Sequence, residues 1–125
     1  MAKAKKQLNA DELAGLIVKG IQEKKGENIV TLDLRGLDGA VTDYYVVCEA
    51  NSTTQVGAIA DSIEKEVREA CGEKAWHVEG TENLEWVLVD YVNVVAHIFQ
   101  SEKREFFNIE ELWADAKIKE IGAEY

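Results

Sequence analysis

The residues with chemical potential are few. Asp90 and His97 stand on two neighbouring apolar runs, and a carboxylate beside an imidazole is half of an acid–base constellation. The other half is missing, because no G-x-S-x-G nucleophile elbow occurs. A structural or partner-facing hydrogen bond is therefore the better reading of the pair. His77, Glu79 and His97 include two residues at strand spacing on one face, but nothing in the chain has recognised zinc-ligand spacing, and neither Cys48 nor Cys71 has a Cys-x-x-Cys partner. No metal site is expected. There is no G-x-G-x-x-G and no G-x-x-x-x-G-K-[ST], so no phosphate cradle and no cofactor is expected either. Arg104 fits an ordinary surface charge, an anchor for Glu79, Asp90 or Asp43 at the sheet edge, or a contact to a partner carboxylate.

The elements that must position Asp90 and His97 are two β-branched, aromatic runs, 85–91 and 94–99, joined at Val92-Asn93. A two-residue turn pairs Tyr91 with Val94. Trp86, Leu88, Asp90, Val95, His97 and Phe99 then share one face, and Val87, Val89, Tyr91, Val94, Ala96 and Ile98 the other. The second face is uniformly apolar and belongs in a core. The first mixes large aromatics with a carboxylate and an imidazole, which suits a recognition surface. Asp90 and His97 lie diagonally across it, roughly 7–8 Å apart at Cα. A one-residue slip would exchange the faces. Trp76, Trp86 and Trp113 are core residues by default. Trp86 is the best exception, since it begins a strand beside a polar loop, and tryptophan is over-represented among residues that dominate interfaces.

Twenty-four acidic residues against fourteen Lys plus Arg give a net charge of −10. That argues against DNA or bare RNA as the main ligand, because phosphate binding needs a concentrated basic face. It is compatible with a basic protein partner, though on charge alone the favoured reading is that it serves only solubility. The N-terminus lacks the apolar stretch of a secretory signal, and no apolar run reaches membrane-span length. Cys48 lies in an apolar run and Cys71 near a predicted helix end; with no close spacing they suggest buried thiols in a reducing, cytoplasmic compartment ahead of a disulfide.

Along the chain, residues 1–8 read as a disordered tail. Asn9 and Glu12 form a capping-box signature, with Leu13, Leu16, Ile17 and Ile21 on one helical face; Gly15 and Gly20 weaken the helix and Gly26 ends it. Ile29–Leu34 alternates as a strand, Arg35–Gly39 is a loop, and Tyr44–Cys48 is a strand covered on both faces. Ser52 and Gln55 stand at capping-box spacing before a helix with Val56, Ile59, Ala60, Ile63, Val67 and Ala70 in a stripe, stopped by Gly72. Ala75–Glu79 is a strand with Trp76 and Val78 on one face. Residues 101–116 form one or two short helices folded back on the sheet, and 117–125 a C-terminal tail. The order α-β-β-α-β-β-β-α predicts a single α/β (α+β) domain over 9–116, a mixed five-stranded sheet flanked by helices. The helical link allows the second and third strands to be parallel.

Thr42-Asp43-Tyr-Tyr-Val-Val, Asn51-Ser52, Glu79-Gly80, Trp86-Val-Leu-Val-Asp90-Tyr, His97-Ile-Phe99 and Arg104-Glu-Phe-Phe-Asn-Ile-Glu-Glu-Leu-Trp113-Ala-Asp115, in that order, resemble the ribosomal silencing factor S, or Iojap, family. The resemblance spans about Leu8 to Asp115. It implies a nucleotidyltransferase-like fold and a non-enzymatic translation regulator. Such a protein binds the large ribosomal subunit, chiefly through protein number fourteen of that subunit, and blocks joining of the small subunit when nutrients are scarce. Some members form homodimers. Carried residue by residue, the resemblance points to Trp86 as the central anchor, with Asp90, His97 and Arg104 around it and Phe99 also among the partner-binding residues. Thr42, Asp43, Ser52, Glu79 and Trp113 also match; of these Thr42, Asp43 and Glu79 could instead hold loops, and Trp113 could pack the last helix. The chain departs from the family where Val92 and Ala50 replace the usual glycines. The competing reading is a divergent nucleotidyltransferase or a hydrolase using Asp90 and His97. No Gly-Ser pair and no D-x-D is present to hold the metals of phosphoryl transfer, and fold alone licenses no activity.

Overall fold

Asn9 caps the first helix as its spacing predicts. Its Oδ1 accepts the Glu12 N–H at 2.8 Å, and Glu12 returns a carboxylate oxygen to the Asn9 N–H at 3.2 Å. In the computed structural model, which describes residues 8–122, that helix is α1, Ala10–Glu23. The disordered tail expected over 1–8 lies, apart from Leu8, outside the described residues. The strands are β1 Glu27–Asp33, β2 Tyr44–Ala50, β3 His77–Glu79, β4 Trp86–Asp90, β5 Val94–Gln100 and β6 Lys117–Ile121. Helix α2 covers Thr53–Cys71, and two short helices, α3 Ser101–Phe107 and α4 Ile109–Leu112, follow β5.

The sheet is mixed as expected, but among the described residues it has six strands rather than five, in the order β3-β4-β5-β2-β1-β6. The sixth comes from the stretch read as a tail. Its residues are almost all exposed, so Lys117–Ile121 has no alternation to betray it. It exists because β1 offers a free edge, with Ile29 opposite Ile121 and Asp33 opposite Lys117. Strand β3 runs in the direction of β2, as the helical crossover allows, but β5 and β4 fill the space between, and the parallel partner of β2 is β5.

Helices α1 and α2 pack together on one side of the sheet. Their core includes Ile17, Ile21, Ile59, Ile63 and Val67 with the inward residues of β2, β4 and β5. Gly20, which weakens α1 intrinsically, has a packing purpose: a Cβ there would lie 2.8 Å from the Ile63 Cα, so glycine lets the two backbones meet. Ser62 seals the contact by donating to the Gly20 carbonyl at 2.8 Å. The α2 stripe ends on buried Cys71 and not on Ala70, which is exposed. Ser52 caps α2 through the Gln55 N–H. The Gln55 side chain, however, donates to the Lys24 and Lys25 carbonyls instead of reciprocating, and so ties α2 to the end of α1. Cys48 and Cys71 are buried free thiols. On the opposite side, Ile109, Ala116 and the half-buried Trp113 cover Val30, Leu32, Val47 and Phe99.

Candidate functional site

The hairpin register is the one the two-residue turn predicts: Asp90 faces Val95, Leu88 faces His97, Trp86 faces Phe99, and Tyr91 donates its N–H to the Val94 carbonyl at 2.9 Å. All six residues of the apolar face are buried against α1 and α2. The other face divides. Its β5 half is covered: Phe99 is fully buried and His97 is 3% exposed. Among the described residues no helix covers its β3–β4 half, and there Leu88 and Asp90 stay partly exposed beside the exposed His77 and Glu79, which pair at 3.1 Å.

Trp86 stands on the border. Its indole stacks on Phe99 at 5.0 Å and leans on Phe107 at 4.7 Å, and its Nε1–H donates to His97 Nδ1 at 3.1 Å. The neutral imidazole therefore carries its proton on Nε2, a buried atom with no hydrogen-bond partner among the described residues. Burial pushes the His97 pKa down to about 3. Tyr45 closes over the imidazole at 4.4 Å, and Trp113 meets the edge of Tyr45 at 6.2 Å. Beyond Trp86, the exposed rings of Phe107 and Phe106 continue the aromatic surface.

Asp90 does not orient His97. Its Oδ1 accepts the Val92 N–H at 2.7 Å, while Thr42 Oγ1 donates to the Val92 carbonyl at 2.8 Å. Asp43 and Tyr44 both donate their N–H groups to the Asn93 carbonyl. Thr42, Asp43 and Asp90 thus clamp the hairpin turn from both sides. They do so around Val92, whose φ of +75° is costly for a β-branched residue. Strain of this kind persists only where neighbours over-determine the backbone.

Arg104 anchors none of Glu79, Asp90 or Asp43. Its nearly buried guanidinium binds Glu110 at 2.9 Å, Glu49 at 3.1 Å and the Asn28 carbonyl, tying α3 and α4 to β1 and β2. Ser52 is a helix cap. Gly80, φ +88°, is where the chain crosses the start of β4: a Cβ would fall 2.0 Å from the Trp86 carbonyl oxygen. The predicted residues therefore divide: Thr42 and Asp43 hold the hairpin turn and Trp113 packs on the second core cluster, while the others fall into two groups. Trp86, Asp90 and Glu79 border the uncovered half-face, with His97 and Phe99 beneath; Ser52 and Arg104 hold the scaffold.

Sequence reasoning missed Trp76. Strand β3 begins only at His77, so Trp76 leaves the face of Val78 and stands 73% exposed, sharing a cavity of about 300 Å³ with Val41, Thr42, Asp90, Val92 and Val95. A tryptophan at a strand boundary was the available signal, since alternation fails where the strand stops. A larger cavity, about 450 Å³, lies apart from this face, between α1 and the β1–β6 edge. Its carboxylates are already engaged, Asp11 by the Tyr44 hydroxyl and Asp33 by Arg35 at 2.8 Å. Among the described residues, no three His, Cys, Asp or Glu side chains converge as a metal site would require.

Comparison with known proteins adds a family. Residues 7–124 match the family model described as ribosomal silencing factor during starvation. The ribosomal silencing factor RsfS of Halalkalibacterium halodurans is 36% identical over 114 residues, 91% of this chain and 96% of that protein. RsfS of Bacillus subtilis is 34% identical over 91% of this chain and 95% of its own length. A crystal structure of a Chromobacterium violaceum protein superposes with a TM-score of 0.81 at 32% identity, covering 94% of this chain and 97% of that one.

Proposed function

Because this chain belongs to the family of ribosomal silencing factors, we propose that it regulates translation by occlusion rather than by catalysis. It docks on the large ribosomal subunit, chiefly on protein number fourteen, and keeps the small subunit from joining when nutrients are limiting. The observation that carries this reading is the uncovered β3–β4 half-face. A sheet face left without a helix, bordered by Trp86, Phe107 and Phe106, is the kind of apolar-centred, polar-rimmed surface that protein partners cover. The net charge of −10 steers such a surface toward a basic protein and away from bare RNA. The hydrogen bond from Trp86 to His97 fixes the indole, so little side-chain entropy is lost when a partner arrives.

The same geometry weighs against acid–base chemistry. An imidazole buried to 3% exposure, with Nδ1 occupied by Trp86 and a pKa near 3, is a poor proton acceptor at neutral pH. Asp90 places one carboxylate oxygen on the turn rather than on His97. Among the described residues no helix is long and apolar enough to cross a membrane, and a cytoplasmic site of action fits the proposed partner.

The test is co-sedimentation with purified large subunits, followed by a subunit-joining assay. Trp86→Ala and Leu88→Lys, the second placing a positive charge in the middle of the face, are each expected to weaken binding about tenfold or more. Circular dichroism checks that both remain folded. Wild-type protein that fails to sediment with large subunits, or variants that sediment as well as wild type, would sink the reading.

A further inference from the structure

Three exposed apolar side chains gather at the turn end of the open half-face: Val41, 88% exposed, Trp76, 73%, and Val92, 56%. They come from three separate segments, before β2, before β3 and in the β4–β5 turn, and they surround one shallow cavity with Asp90 at its side. A soluble protein has no folding reason to assemble large apolar groups in water. Val92 is the more telling case. Its backbone sits at φ +75°, where glycine is at ease and valine is not, and Asp90 and Thr42 hold it there. The product of that strain is an isopropyl group displayed beside an indole.

We infer that Trp76, Val92 and Val41 form a second anchoring slot, which takes an arginine- or lysine-bearing segment of a basic protein partner, its aliphatic stem on the two valines and its cation over the indole. This rests on the docking reading above and adds an anchor at the far end of the same face from Trp86. The occupant's chemistry follows from the surroundings. An exposed indole face attracts cations, arginine above all. Among the described residues, the Asp90 carboxylate in the slot has no cationic partner. The arginine of the adjoining hollow, Arg35, is bound to Asp33 and so does not compete. The chain as a whole is strongly acidic. Long cationic side chains satisfy both demands at once, because their stems are apolar and their heads charged.

Two variants and one probe test the slot. Trp76→Ala removes an exposed ring and leaves the core untouched. Val92→Gly removes the isopropyl group and relieves the backbone. Both are expected to bind large subunits about tenfold more weakly, and Val92→Gly is expected to melt no lower than wild type, a combination that a purely structural role for Val92 would not produce. Independently, wild-type protein is titrated with a peptide of alternating arginine and leucine while the Trp76 indole N–H is followed by NMR. The resonance should move with that peptide, less at high salt, and stay still with a glutamate–leucine peptide. If wild type sediments with large subunits and both variants sediment alike, the slot is wrong while the docking reading stands. If wild type does not sediment, the docking reading fails and the peptide titration alone decides the slot. An indole resonance that ignores the basic peptide overturns it.

Discussion

The burial of His97 makes acid sensitivity the sharpest quantitative test. The perturbation is His97→Gln, whose amide oxygen still accepts the Trp86 N–H but cannot be protonated. In the folded chain burial holds the imidazole pKa at about 3, against 6.5 in the unfolded chain. Below pH 6.5 the unfolded state therefore binds a proton that the folded state refuses. Stability from this group is fully present above pH 6.5 and is lost progressively as the pH falls toward 3. With about 1.4 kcal/mol per pKa unit, the loss between pH 7.5 and pH 5.0 is about 2 kcal/mol. Both values stay above the sequence pI of 4.6, where the protein would lose its net charge. The assay is urea unfolding of wild type and His97→Gln at the two pH values. Carboxylates contribute to both proteins and cancel in the difference. Wild type should lose about 2 kcal/mol more than the variant between pH 7.5 and pH 5.0. Parallel pH dependence in the two proteins would show that the imidazole reaches solvent or a proton acceptor in the fold, and would refute the buried Trp86–His97 arrangement.

Other outcomes follow from single contacts. Arg104→Met leaves Glu49, Glu110 and the Asn28 carbonyl without their cation, and should destabilise the fold by about 3 kcal/mol in urea unfolding; a loss below about 1 kcal/mol would place Arg104 among ordinary surface charges. Gly80→Ala forces a Cβ against the Trp86 carbonyl from a backbone with φ +88°, and should destabilise by about 2 kcal/mol or more, read as a clear drop in melting temperature; an unchanged melting temperature would contradict the close crossing. The Cys48 thiol, buried and raised well above the usual thiol range by desolvation, should resist alkylation in the native protein at pH 8 and react on unfolding. Rapid labelling of the folded chain at Cys48 would contradict its burial.

Where side chains alternate or repeat along a continuous element, the sequence alone determined the outcome. The period of two in 86–99 dictated which hairpin residues faced α1 and α2, and the turn length set their register. The helical stripe of α2 and the Asn9 and Ser52 caps were equally readable. All of these are interactions between residues close in the chain, so their pattern survives in one dimension. Coverage is a different matter. Whether the mixed face of the hairpin is buried depends on where α3 and α4 land, and Arg104 draws them over β5 through Glu49, a residue 55 positions away. That placement buried His97 and Phe99, left Leu88 open and set Trp86 on the border. The same dependence on distant partners hid β6, whose exposed residues carry no period and which pairs only because β1 has a vacant edge. It also freed Trp76, because β3 starts one residue too late to turn that indole inward. Local periodicity decides which side of an element is apolar; only the meeting of distant elements decides which apolar side is left in water for a partner to cover.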